Sequence, residues 1–239
     1  MIKLIFKSLL FFSVIVISNI TYCQEAVDYY FLGTENIKLG NYQDAITDFT
    51  KAIKLNPNYS KAYLNRGVSK LKSLDYRGAI SDYNFAIELN PNYSNAYFNR
   101  GIAKEKLGDN RGANQDFSKA IELNPSDPDF YYNRGNTKIK IGDYSGATED
   151  FSKAIDLNPK FAEAYNNRGV SKTILKDYKG GIADNTKAIE INPKFANAYY
   201  CRGLSKTQLG DINGACLDWS KAGELGFYDA YDDIKKYCK

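Results

Sequence analysis

Histidine is absent from the 239 residues, and that absence removes several kinds of chemistry at once. A Ser-His-Asp triad, a Cys-His pair and a His-ligated metal all need an imidazole. The four cysteines, Cys23, Cys201, Cys216 and Cys238, include no C-x-x-C pair, so neither a zinc cluster nor a thioredoxin-type site is expected. Carboxylates are plentiful but regular. Asp48, Asp82, Asp116, Asp150, Asp184 and Asp218 follow one another at intervals of 34 residues. The same interval separates Arg66, Arg100, Arg134, Arg168 and Arg202, and also Asn65, Asn99, Asn133 and Asn167. A catalytic acid–base pair stands apart from its surroundings, whereas a carboxylate repeated in phase does a repeated structural job. No catalysis and no cofactor is therefore expected. Amides are different: each offers both a donor and an acceptor. Four of them at regular rises suit the backbone of an extended peptide without demanding a particular sequence.

The elements that place these residues are read from the same period. Pro57, Pro91, Pro125, Pro159 and Pro193 keep the interval of 34, as do the glycines from Gly33 to Gly203 and the alanines from Ala52 to Ala222. Several ladders in one register define six tandem units that start at residues 26, 60, 94, 128, 162 and 196. Within 60–93, Ala62, Tyr63, Gly67, Lys70 and Leu71 outline one helix. Ala79, Ile80, Tyr83, Ala86 and Ile87 outline a second. Asn90-Pro91 stops the second helix, because proline biases the preceding residue away from the helical region. Pro128 follows Ser126-Asp127 and is expected as a first helical residue capped by Asp127. Twenty tyrosines against one tryptophan fit a residue placed by rule. Small residues at unit positions 8, 20 and 27 leave room where the helices cross, and aromatics at positions 4 and 24 fill the adjoining space.

This pattern resembles the tetratricopeptide repeat (TPR) family over residues 26–229, with an aromatic at 4, Gly at 8, Ala at 20, an aromatic at 24, Ala at 27 and Pro at 32. The resemblance implies an all-α, right-handed superhelical solenoid of six helix-turn-helix units: 26–59, 60–93, 94–127, 128–161, 162–195 and 196–229. It implies a concave groove lined by the first helices, with position 6 facing it. Asn65, Asn99, Asn133 and Asn167 would then form a peptide-binding row, flanked by Phe98, Tyr132 and Tyr200 at position 5. Lys38, Lys72, Lys106 and Lys140 at position 13 would make one edge basic or simply solvated. Tyr30, Thr34, Asn95 and Asn99 stand where a carboxylate clamp would need other residues, so recognition of a chaperone C-terminus is not implied. The function implied is a non-catalytic scaffold that binds a protein or an extended peptide. The alternative is an accessory subunit of an envelope enzyme or secretion complex.

Two departures stand out. The leucine usual at position 7 is Arg in units two to six, and unit five has Gly181 at position 20 and Asn185 at position 24. Every unit has Asp at position 23, but the first has Leu32 where the others have Arg. If each Arg reaches back to the preceding unit, the pairs Arg66–Asp48, Arg100–Asp82, Arg134–Asp116, Arg168–Asp150 and Arg202–Asp184 are all complete. Inter-unit pairs are therefore expected. Phe227, Ala230, Tyr231, Ile234 and Cys238 then recur at helical spacing, so 228–239 is expected as a capping helix over the last open face. Cys216 faces that helix, which makes a Cys216–Cys238 disulfide possible; three reduced, packed thiols are the alternative.

Residues 1–23 are expected to be a signal peptide. Lys3 and Lys7 precede the apolar run 9–17, and a polar stretch leads to Cys23-Gln24. The run is shorter than the ~20 residues that span a bilayer. Cleavage before Gln24 would export the chain to the periplasm or the exterior; an uncleaved anchor and lipid attachment at Cys23 are the alternatives. Loss of Lys3 and Lys7 leaves 30 cations against 28 anions, a balance that does not suit nucleic acid.

Overall fold

The computed structural model describes residues 24–238, so the expected signal segment lies outside the described residues. Everything regular in that span is helical. It divides into two compact units at Asp109/Asn110. The first holds α1 (24–38), α2 (Tyr42–Leu55), α3 (Ser60–Lys72), α4 (Tyr76–Leu89) and α5 (Ser94–Lys106). The second holds α6 (Asn110–Leu123), α7 (Pro128–Lys140), α8 (Tyr144–Leu157), α9 (Ala162–Ile174), α10 (Tyr178–Ile191), α11 (Ala196–Gln208), α12 (Ile212–Glu224) and α13 (Ala230–Tyr237). Tyr29, Tyr30 and Ile37 of α1 pack on the cluster around Phe49 of α2, every later helix packs on the next within its unit, and alternate first helices also touch: α3 with α5, α7 with α9, α9 with α11.

Local chemistry explains the boundaries. Asp75, Asp143, Asp177 and Asp211 cap α4, α8, α10 and α12, each side chain accepting from the backbone N–H three residues on. Asp127 caps α7 in front of Pro128. At the other end, Asn56, Asn90, Asn158 and Asn192 leave the helix with extended backbone, as a following proline requires. Each of their amide oxygens then accepts from the N–H two residues later, which closes the loop as an Asx turn.

Packing within a repeat depends on one close approach. A Cβ on Gly67 would meet the Tyr83 ring at 2.6 Å, and one on Gly135 would meet Phe151 at 2.7 Å. Position 8 therefore admits nothing larger than glycine while position 24 is aromatic. The alanines at 20 and 27 and the aromatics Phe49, Tyr83, Phe117, Phe151 and Trp219 have no exposed surface.

Repeat five solves the same crossing with amides. Asn185 replaces the aromatic and is fully buried, as is Asn166 at position 5. Asn166 Nδ2 donates to Asn185 Oδ1 at 2.7 Å, Asn185 Nδ2 donates to the Gly181 carbonyl at 3.0 Å, and Asn197 Nδ2 donates to Asn166 Oδ1 at 2.8 Å. The departure at Gly181 and Asn185 is thus a satisfied polar network rather than a defect.

Candidate functional site

The Arg–Asp pattern needs correction. Arg66, Arg134, Arg168 and Arg202 bond within their own repeat, to Asp82, Asp150, Asp184 and Asp218, and not back to the preceding one. Each is a two-pronged contact: in the Arg134 pair, Nε lies 2.9 Å from one carboxylate oxygen and Nη2 2.6 Å from the other. What reaches back is Nη1. It donates to position 25 of the preceding repeat: Thr50, Ser118, Ser152 and Thr186 for these four arginines, and Asn84 for Arg100. Each ring at position 4 lies against its arginine, at 5.3 to 5.9 Å from guanidinium carbon to centroid.

A lysine ladder completes the site, and the sequence reading missed it. Lys70, Lys138, Lys172 and Lys206, at position 11, lie 2.8 to 2.9 Å from the same carboxylates. The signal was present, since these lysines keep the 34-residue interval and follow Arg by four residues on one helix face. Repeat one lacks both cations. There Asn36 Nδ2 donates to Asp48 at 2.9 Å, and Lys51 stands 3.8 Å away.

The position-6 asparagines are half-buried, and their amide N–H groups are occupied. In the N-terminal unit, Asn65 donates to Tyr30 Oη at 3.1 Å, while Asn99 donates to the Asn95 carbonyl of its own helix at 2.8 Å. In the C-terminal unit, Asn133 donates to the Asp129 carbonyl, and Asn167 donates to Tyr132 Oη at 3.3 Å and Asn136 Oδ1 at 2.8 Å. Among the described residues, no chain donor reaches the Oδ1 atoms of these four.

Position 5 belongs half to the core. Tyr132 lies against Phe151 and Phe161, and Tyr200 lies against Phe227 at 4.5 Å. Phe98 is half-buried in α5. Outer edges remain: Tyr200 Oη donates to Asp233 of α13 at 2.9 Å. Burial, with Asp233 beside it, pushes that phenol up to about 12.

In the C-terminal unit, a recess of about 250 Å³ opens between α9 and α11, walled by Val170, Thr173, Ile174, Cys201 and Leu204. Cys201 replaces asparagine at position 6, is buried and carries a free thiol; burial pushes it up to about 11. A second recess, of about 300 Å³, shares Thr173, Ile174 and Leu204 and continues to α13. Cys216 and Cys238 are joined in a disulfide, Cα to Cα 5.8 Å, which ties the end of α13 to α12. Among the described residues, no group of three or more His, Cys, Asp or Glu side chains is placed to hold a metal ion, and no helix is long and apolar enough to cross a membrane.

Comparison with known proteins agrees with this architecture. Tetratricopeptide-repeat models match residues 26–59, 128–161 and 162–195, and a TPR repeat model matches 75–108 and 106–142. Among solved structures, YrrB, described as a TPR protein with an unusual peptide-binding site, is 22% identical over 79% of this chain and 97% of its own, with a TM-score of 0.70. MamA is 26% identical over 69% of this chain and 96% of its own, with a TM-score of 0.64. PilF of Pseudomonas aeruginosa is 16% identical over 90% and 99%, with a TM-score of 0.77. No curated protein matches in sequence. With family models laid along most of its length, and antiparallel helix pairs built on their spacing, the chain belongs to the tetratricopeptide-repeat family.

Proposed function

We propose that this protein is an exported docking scaffold that holds an extended segment of a partner protein against the first-helix face of its C-terminal unit. The observation that carries the reading is the recess between α9 and α11. Its walls are almost wholly apolar, and Leu204 and Ile174 stay exposed at 36% and 47%. Such a recess, beside polar groups of fixed orientation, has the make-up of a ligand site. Asn167 Oδ1 and Asn133 Oδ1 supply acceptors for the N–H groups of a passing peptide. Because their own N–H groups are bonded within the chain, these amides would read a backbone mainly by accepting. The N-terminal unit presents Asn65, Asn99 and Phe98 on its own first helices. The fold supports a protein–protein interaction role in general. Export rests on the leading segment described above, with Gln24 as the expected first residue of the mature chain.

Crosslinking of the protein in its native envelope, followed by mass spectrometry, tests both parts. Partner crosslinks should fall on α9 and α11 and be lost in Leu204→Asp. Crosslinks confined to other helices would overturn the site, and an intact Met1 on the envelope-associated chain would overturn cleavage.

A further inference from the structure

The second recess differs from the first in chemistry. It is lined by Ile174, Tyr178, Leu204, Gln208, Asp233 and Tyr237, with the buried Trp219 also in its wall. Asp233 carries the one formal charge in this lining. Its Oδ2 accepts from Tyr200 Oη at 2.9 Å. Among the described residues no Lys or Arg forms an ion pair with it. The neighbouring Lys236 lies over the Tyr237 ring, 4.7 Å from its centroid, and Lys235 reaches Asp232 instead.

The other polar groups of the lining are neutral: the Gln208 amide and the Tyr178 and Tyr237 hydroxyls can each donate or accept, and the two threonines are bonded to the backbone. Thr207 spends its hydroxyl proton on the Gly203 carbonyl at 2.9 Å, and Thr173 spends its own on Gly169 at 2.8 Å. The Thr207 oxygen is left as an acceptor, whereas the Thr173 oxygen also lies 2.8 Å from the Ser205 hydroxyl and is engaged within the chain. A half-buried carboxylate with the one formal charge of the lining, set among neutral polar groups and an aromatic rim, suits a ligand group that is cationic and has an apolar stem. Lysine and arginine side chains meet that description, since each carries its cation on an apolar stem.

We propose that this recess is a cation subsite, in which Asp233 receives the Lys or Arg side chain of the docked partner segment. The inference rests on the docking reading above and deepens it. The two recesses share Thr173, Ile174 and Leu204, so one segment would place an apolar side chain between α9 and α11 and a basic one beside α13. Tyr200 then acts as a positioning residue that holds the Asp233 carboxylate. The Cys216–Cys238 bond holds the helix that carries it.

The experiment is selection of phage-displayed random 12-residue peptides on the purified, oxidised protein, followed by calorimetry with synthetic copies. Selected peptides should carry Lys or Arg at one fixed distance from an apolar residue. Asp233→Asn, which can still accept from Tyr200, should weaken them roughly ten-fold or more, the usual effect of losing a charge-assisted contact. Asp233→Lys should turn the preference at that position to Asp or Glu, and Leu204→Asp should abolish binding altogether. Peptides that need Leu204 but show no basic position, or that bind Asp233→Asn unchanged, would overturn the cation subsite and leave the docking reading standing. Failure to select any peptide would overturn both.

Discussion

At the scale of single residues, the buried carboxylates show where a repeat pattern stops being readable. The ladders of Arg and Asp were plain in the sequence, but their register was not, because an arginine seated between two repeats touches both. The completeness argument for backward pairing failed at repeat one. There Leu32 and Asn36 replace both cations, and Asp48 turns to an amide and Lys51. In the other repeats the lysine changes the energetics as well. Removing Arg134 leaves Asp150, whose side chain is 4% exposed, with Lys138 at 2.9 Å. We expect Arg134→Leu to cost about 2–3 kcal/mol in urea denaturation, short of the ~3–5 of a fully unpaired buried charge. Adding Lys138→Met should bring the loss to that upper range, and equal losses in the single and double variants would contradict the shared role. Tyr83 is the reverse case. Its hydroxyl is buried without a partner, where repeats one, three, four and six place Phe or Trp. Tyr83→Phe should stabilise the protein by about 1–2 kcal/mol by removing that unmet group. Burial, with Asp82 nearby, also raises the Tyr83 phenol, so the folded chain keeps a proton that the unfolded chain loses near pH 10. Its contribution is therefore present below that pH and declines above it. The advantage of Tyr83→Phe should widen from pH 9 to pH 11, and a constant difference would rule this out.

At the scale of elements, most of the molecule was legible. Proline, asparagine and aspartate chemistry sets the helix ends, and these residues act through local backbone geometry that short sequence windows contain. What escaped were features that need a second helix to define them. Asn166 is an ordinary residue until Asn185 and Asn197 are brought to it, and the position-6 amides seemed free until Tyr30 and Tyr132 came within reach. One turn carries a local conflict that can be tested. First helices end with a left-handed residue, which is Gly40, Gly108, Gly142 and Gly210 in four repeats, but Leu74 and Lys176 in the other two. At Lys176, φ is 66°, its N–H donates to Thr173, and the next N–H donates to Lys172, so the turn keeps the bonds of a Schellman ending. A side chain there costs roughly 1–2 kcal/mol of steric strain, which glycine relieves at some cost in unfolded-state entropy. Lys176→Gly should therefore raise stability by up to about 1 kcal/mol, measured by thermal and urea unfolding. A loss of stability would show that the lysine side chain makes contacts that outweigh the strain.

At the scale of the whole molecule, a repeat chain is stabilised by nearest-neighbour interfaces, so a change at one end should be felt locally. The C-terminal end shows this most clearly. Helix α13 has eight residues, fewer than the ~12–15 at which isolated helices become even marginally stable in water. It must be held by what it touches. Ala230 is its one fully buried residue. Phe227, just before it, lies on Tyr200, and Tyr237 lies 5.7 Å from Trp219. The Cys216–Cys238 bond adds a tether across a sequence separation of 22, and the chain-entropy model gives a loop of about that length ~3 kcal/mol. Ile234 packs on the same cluster and Asp233 accepts from Tyr200, but all of these contacts are made by a helix of only two turns, so the tether supplies a large share of its hold. We expect Cys238→Ser to abolish amide protection in α13 and to speed hydrogen exchange in the adjoining α12, while α1–α5 keep their protection. Trp219 supplies a second readout, since it is the single tryptophan and is fully buried beneath Tyr237. Its emission should shift to the red as α13 lifts, and reduction of the unaltered protein should do the same. Full protection of α13 in Cys238→Ser, with unchanged Trp219 emission, would mean that apolar packing alone holds this helix in place.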